Sequence, residues 1–227
     1  AGTVQRDPMF DESITQDMGL TTPASCAQRI TYVLDNYQLD YAPGTDSYYS
    51  NFSYCILGRV IESVTGRDYE DYVNDEILQP TGANRMQLGR TKLANLAPDE
   101  VEYYDRLLDP EVPSVFPSDS GDVPQQYGGF YLEAMDSHGG WISTPADYAR
   151  YAQGTAHQPF GGSSWWFNGS LAGTQTTVQY SQNGDLVMAL YFNTRLAPSA
   201  NKTGLNQTLG DALGQVDKWP CHDLNSE

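Results

Sequence analysis

Positive charge is what this sequence has least of: 12 Lys and Arg stand against 29 Asp and Glu, a formal net charge of −17 at pH 7. Holding a phosphate backbone takes clustered Lys and Arg, so nucleic acid is excluded as a partner. Long apolar runs are also missing. The longest, around 186–192, suits a strand and falls far short of the ~20 residues of a membrane-crossing helix, so no membrane partner is expected. Cysteine is scarce, with Cys26, Cys55 and Cys221 the only three. That excludes a disulfide-built scaffold and leaves at least one thiol free or bonded to another chain. The metal-binding spacings His-x-x-x-His, His-Glu-x-x-His and Cys-x-x-Cys do not occur, so no metal and no cofactor is expected. No basic-plus-apolar leader opens the sequence; the expectation is that one was never present or has been removed.

What is present argues for an ordered fold. Hydrophobic residues make up 39% of the 227, charged residues only 18%, and 16 Tyr, 7 Phe and 4 Trp need packing partners. The skew toward Tyr gives amphipathic surface suited to polar ligands or glycans. Four Asn-x-Ser/Thr sequons begin at Asn51, Asn168, Asn201 and Asn206. Together with few Lys and an acidic surface they point to a secreted protein. Asn201 and Asn206 are the sequons expected to carry glycans, because Asn51 and Asn168 fall in the candidate cleft.

Periodicity predicts a helix from Pro23 to about Leu39 with Thr22 as N-cap, and a stronger one from Asn51 to Thr65 closed by Gly66. A third runs from Asp68 to Leu78, ended by Pro80 and Gly82, and a fourth starts at Thr144-Pro-Ala-Asp. Residues 98–128 hold five prolines and read as a surface excursion. Ser170–Tyr180 and Leu186–Asn193 read as β runs joined at Asn183-Gly184, a strong hairpin signal, and Asn201–Trp219 as a closing helix. The expected class is α+β in one structural unit: a mainly helical region over 1–160, then a sheet-forming hairpin and terminal helix over 161–227.

Three clusters could carry chemistry. Tyr48-Tyr49-Ser50-Asn51 sets phenols, a hydroxyl and an amide in one loop at a helix N-terminus, which suits a Tyr general base and an Asn that binds a substrate amide. On these residues alone the simpler expectation is a helix start capped by Ser50 or Asn51. Trp165-Trp166-Phe167-Asn168-Gly169-Ser170, continuing to Gly173, offers aromatic faces, and its glycines allow a close backbone approach or part of an oxyanion hole. A glycine bulge beside a Trp anchor fits it as well. In the third cluster, Tyr127 to Trp141, Asp136 and His138 resemble an acid–base pair, but a histidine satisfied by backbone in a glycine turn is the simpler expectation.

Tyr49-Ser-Asn51 followed by Tyr-Cys-Ile-Leu-Gly-Arg-Val-Ile-Glu-Ser-Val-Thr-Gly resembles the serine β-lactamase and penicillin-binding-protein superfamily, most of all the class C-like branch with its DD-peptidases and esterases. Ala134–Arg150, with His-Gly-Gly-Trp-Ile-Ser-Thr-Pro-Ala-Asp, and Asn168-Gly-Ser-Leu-Ala-Gly-Thr fit the same group. The resemblance implies a helical region beside an antiparallel sheet flanked by helices, with the active site between them. It implies catalytic roles for Tyr49 and Asn51, and ligand contacts from Tyr48 and Trp165 through Ser170.

Two departures follow from that resemblance. The superfamily's nucleophilic Ser-x-x-Lys lies further ahead of Tyr-x-Asn than the 48 residues present here, so the nucleophile helix and first strands of the sheet are expected to be missing. The one such string, Ser199-Ala-Asn-Lys202, stands after the hairpin, in the wrong order. Where the superfamily places Lys-Thr-Gly or His-x-Gly, this chain has Phe167-Asn-Gly169. An isolated Tyr with a pKa of about 10 is ~0.1% phenolate at neutral pH, and no cation stands at Phe167 to change that. Tyr49 is therefore expected to be a neutral phenol, and a neutral polar ligand to be preferred over a carboxylate. The chain reads as a catalytically incomplete scaffold for a small peptide, ester or glycan. The alternative is the C-terminal piece of a processed serine hydrolase, held to an N-terminal chain or a second copy, with Cys221 available for a disulfide.

Overall fold

The computed structural model describes residues 7–105, 111–155, 165–180, 186–195 and 202–218. The chain opens with a 3-10 turn, Pro8–Phe10, and a short helix α1 (Ser13–Asp17). Helix α2 spans Cys26–Asn36. It begins three residues later than the periodicity suggested, because the cap is Ser25 and not Thr22: Ser25 Oγ accepts from Gln28 N–H while Gln28 Oε1 accepts from Ser25 N–H. Helix α3 spans Asn51–Thr65, and Gly66 ends it at φ +68°, a left-handed position suited to glycine. Helix α4 (Tyr69–Val73) runs through a π turn (Asn74–Leu78) into α5 (Gln79–Thr81), so Pro80 lies inside the last turn and Gly82 does the stopping.

Strand β1 (Gln87–Leu88) pairs antiparallel with β4 (Trp141–Ile142), and β2 (Val112–Pro113) with β3 (Asp122–Val123) inside the proline-rich stretch. That stretch is anchored to the larger sheet, since Tyr104 N–H donates to Asn193 O at 3.0 Å and Asn193 Nδ2 to Glu102 O at 3.0 Å. Helix α6 (Pro145–Thr155) starts where the Pro predicts, with Thr144 Oγ1 accepting the Asp147 N–H.

The main sheet is β5 (Trp165–Leu171), β6 (Thr174–Tyr180) and β7 (Val187–Phe192), ordered β5-β6-β7 and antiparallel throughout. Helix α6 packs across β6 and β7, and α7 (Lys202–Leu213) follows. What read as one run from Ser170 is two strands, turned by Ala172-Gly173 with Leu171 facing Thr174. Gly173 holds φ +75°, and a Cβ there would lie 2.8 Å from Tyr103 Cβ. The β5 register runs unbroken from Trp165 to Leu171, so the glycines make no bulge.

The core gathers Met9, Cys26, Val33, Phe52, Cys55 and Ala134. Cys26 and Cys55 form a disulfide between α2 and α3, leaving Cys221, outside the described residues, as the odd cysteine. Closing a loop of this separation, 29 residues, restricts the unfolded chain by about 3–4 kcal/mol in the chain-entropy picture. Among the described residues no helix is long and apolar enough to cross a membrane.

Candidate active site

The Tyr-Ser-Asn turn is fixed from a distance. Ser50 is the N-cap of α3 and is buried, yet its side chain makes no capping bond. The cap is supplied by Asp7: its Oδ2 accepts the Asn51 N–H at 2.9 Å and its Oδ1 the Met9 N–H at 3.1 Å. One carboxylate thus holds the N-termini of two helical turns, where negative charge is favoured. A capping contact across 44 positions leaves no local motif, which is why sequence reading placed the cap on Ser50 or Asn51.

On this base Tyr49 and Asn51 meet. The Tyr49 hydroxyl donates to Asn51 Oδ1 at 3.1 Å, and its ring lies 5.7 Å from that of Tyr54. Partial desolvation by its neighbours, then the Tyr54 phenol and the Asp7 charge, push the Tyr49 pKa above its ordinary 10. No Lys or Arg among the described residues contacts that phenol, and both rings of Tyr48-Tyr49 are largely exposed. The described side-chain contacts of the turn run to Tyr54 and within the turn itself, and none crosses to β5.

Trp165 and Trp166 open β5. Phe167 faces Val178 in register and is partly exposed, and Asn168 Oδ1 accepts from Thr177 Oγ1 at 2.8 Å. Gly169 makes room for its cross-strand partner, since a Cβ would sit 2.6 Å from Thr176 Oγ1, while Ser170 pairs with Gln175. Asn206 falls on α7; Asn201 and Ser199 lie outside the described residues.

The glycine-rich segment packs against the middle of α3. A Cβ on Gly58 of α3 would meet Ser137 Oγ at 2.5 Å, so this glycine lets the 134–138 segment approach the helix. Asp136 ion-pairs with Arg59 and accepts from Ser137 Oγ at 3.0 Å. His138 is not satisfied by backbone as expected: both ring nitrogens are buried without a hydrogen-bond partner. Burial, with a smaller contribution from Arg29, lowers its pKa to about 4 against the opposing charges of Asp7 and Asp136. Among the described residues no group of three His, Cys, Asp or Glu could hold a metal ion.

The folded-state value of His138 lies below its ordinary 6.5, so between about pH 6.5 and pH 4 the unfolded chain binds the extra proton. Stability from this group is complete above that window and falls as pH drops through it, by on the order of 3 kcal/mol for a shift of this size. Between pH 7 and pH 4.5 the urea midpoint of the wild-type chain should fall further than that of His138→Gln. Parallel losses in the two proteins would show that His138 is not charged on unfolding.

A Tyr-x-Asn turn opening a helix, in a chain that also forms an antiparallel sheet backed by a helix, fits the serine β-lactamase and penicillin-binding-protein superfamily. The beta-lactamase family model matches residues 5–160, and the chain belongs to that family. Solved structures share its fold: the penicillin binding protein from Bacillus halodurans (TM-score 0.61, 17% identity, 91% of this chain and 68% of that one) and the D-stereospecific amidohydrolase from Streptomyces sp. (0.60, 17%, 82% and 62%). An Escherichia coli (strain K12) protein named "Putative D-alanyl-D-alanine carboxypeptidase" is 25% identical over 181 residues, 70% of this chain. The chain spans 40% of the length of that relative.

Proposed function

We propose that this chain carries the tyrosine–asparagine half of an acyl-transfer site for amides, peptides or esters of D-amino acids, and that by itself it forms no acyl-enzyme. The hydrogen-bonded Tyr49–Asn51 pair at the head of α3, contacted by no cation among the described residues, carries this reading. The family supplies the reaction class. The fold neighbours named for D-stereospecific amidohydrolase and penicillin binding support the substrate class. A neutral Tyr49 hydroxyl and the Asn51 amide bind and orient an amide; a base strong enough to activate a serine needs a neighbouring positive charge. That charge and the nucleophile have to come from another segment. A secreted location fits the buried Cys26–Cys55 disulfide and the four sequons.

A second reading, a binding scaffold for a small peptide or glycan, is favoured by the exposed aromatic faces of Tyr48, Tyr49 and Phe167. Phenolate absorbance followed with pH separates a base from a neutral donor. The difference between wild type and Tyr49→Phe should appear above pH 10. An inflection below about pH 9 would make Tyr49 a base within this chain and overturn the proposal.

A further inference from the structure

His138 sits among charges from three segments and its ring bonds to none of them. Its backbone is set by a tight turn, in which the His138 and Gly140 N–H groups both donate to Met135 O, at 3.2 and 2.8 Å. Its neighbour Ser137 is wedged against α3, where a Cβ on Gly58 would lie 2.5 Å from Ser137 Oγ. Both ring nitrogens are buried and neither has a hydrogen-bond partner. The charges that reach the ring are Asp7, ahead of the first 3-10 turn, and Asp136 in its own segment, with Arg29 of α2 opposing them. Arg59 of α3 is already taken up by Asp136. A buried imidazole with two orphaned nitrogens costs stability, so packing alone gives no reason for a histidine here over an apolar side chain.

A proton changes what this ring needs. Neutral imidazole has one donor and one acceptor, whereas imidazolium has two donors and a charge. Both carboxylates whose charge reaches it are engaged, but unequally. Asp136 holds the Arg59 guanidinium and accepts from Ser137 Oγ. Asp7 holds only two neutral backbone groups, the N–H of Asn51 at 2.9 Å and of Met9 at 3.1 Å. A charge-assisted bond displaces a neutral N–H more readily than it displaces a guanidinium, so Asp7 is the partner to be captured. Arg29 cannot give way, because three carbonyls and Glu12 fix it, and a charged ring has to turn from it. We infer that His138 is a proton-operated latch on the Tyr49–Asn51 turn. Neutral and buried, it leaves Asp7 capping α3; on taking a proton it pairs with Asp7, draws that carboxylate off the Asn51 N–H and releases the turn. Acid thus loosens the turn before it unfolds the protein. The latch concerns how the turn is held and stands whichever ligand the turn takes.

Hydrogen exchange of the purified chain, resolved at single amides by NMR and corrected for intrinsic rates, tests this between pH 7.5 and pH 5. That window lies above the range in which ordinary carboxylates titrate. The Asn51 and Met9 amides should exchange faster than those of the central strand β6 at every pH, because the turn opens locally. An opened His138 regains its ordinary 6.5 while the closed ring is lowered to about 4. Protection at Asn51 and Met9 should therefore fall about 30-fold from pH 7.5 to pH 5. In His138→Gln and His138→Leu, whose side chains take no proton, the fall should shrink to no more than about twofold. Asp7→Asn should leave Asn51 poorly protected at both pH values. Level protection at Asn51 in the wild-type chain overturns the proposal by itself, whether or not a variant folds. A 30-fold fall that survives in His138→Leu, or full protection in Asp7→Asn, does the same. So does Asn51 exchange that matches β6 at each pH, which would mean that the turn opens only with the whole protein.

Discussion

Replacing Arg29 with methionine should cost about 3–5 kcal/mol of stability, the range for stranding the partners of a buried charge. Arg29 has no exposed surface. Its guanidinium donates to the carbonyls of Ala24 (3.0 Å), Pro8 (2.8 Å) and Asp11 (2.9 Å), and lies 3.2 Å from a Glu12 carboxylate oxygen. Methionine fills similar volume but leaves those carbonyls unpaired and Glu12 without its countercharge. Burial, the largest influence on Glu12, already raises its pKa, and the charge of Arg29 opposes that rise. The variant should therefore take up a proton at Glu12 nearer neutrality. Because Arg29 ties the 8–12 segment to α2, its loss also loosens Asp7, and with it the cap that holds the Tyr49–Asn51 turn. Urea unfolding of Arg29→Met checks the magnitude, and a loss below about 1 kcal/mol would mean that the segment is held by its apolar contacts alone.

The features legible in the sequence are those written in neighbouring residues. Helix α3 could be read to both ends because its apolar spacing and the Gly at its close act within one element. The pairing of β6 with β7 followed from alternation around an Asn-Gly pair. The Ala172-Gly173 turn was missed because it carries no such dipeptide: only the positive φ of Gly173 and its contact with Tyr103 reveal it. Arg29 escaped notice since an arginine in an amphipathic helix is ordinarily solvated, and nothing local shows three carbonyls converging on it. Asp7 capping α3 and Cys26 bonding to Cys55 are likewise contacts between distant positions, invisible to spacing.

Half a site predicts a complete loss of chemistry, the largest functional effect available here. Acyl transfer in this superfamily needs a serine whose hydroxyl is activated by a nearby base, and positioning without a nucleophile leaves nothing to acylate. Ser50, next in sequence to Tyr49, is buried at the N-cap of α3. Ser137, the serine beneath α3, donates its proton to Asp136. Neither is paired with a lysine. A D-phenylalanine nitrophenyl ester and a penicillin should both leave the chain unmodified after long incubation, while the folded structure persists.

Intact-mass spectrometry of the purified chain after exposure to penicillin tests this most directly. The predicted result is an unchanged mass at every time point. A stoichiometric acyl adduct, whether mapped to Ser199 in its Ser-x-x-Lys string or to any other serine, would contradict the account and make this polypeptide a complete enzyme.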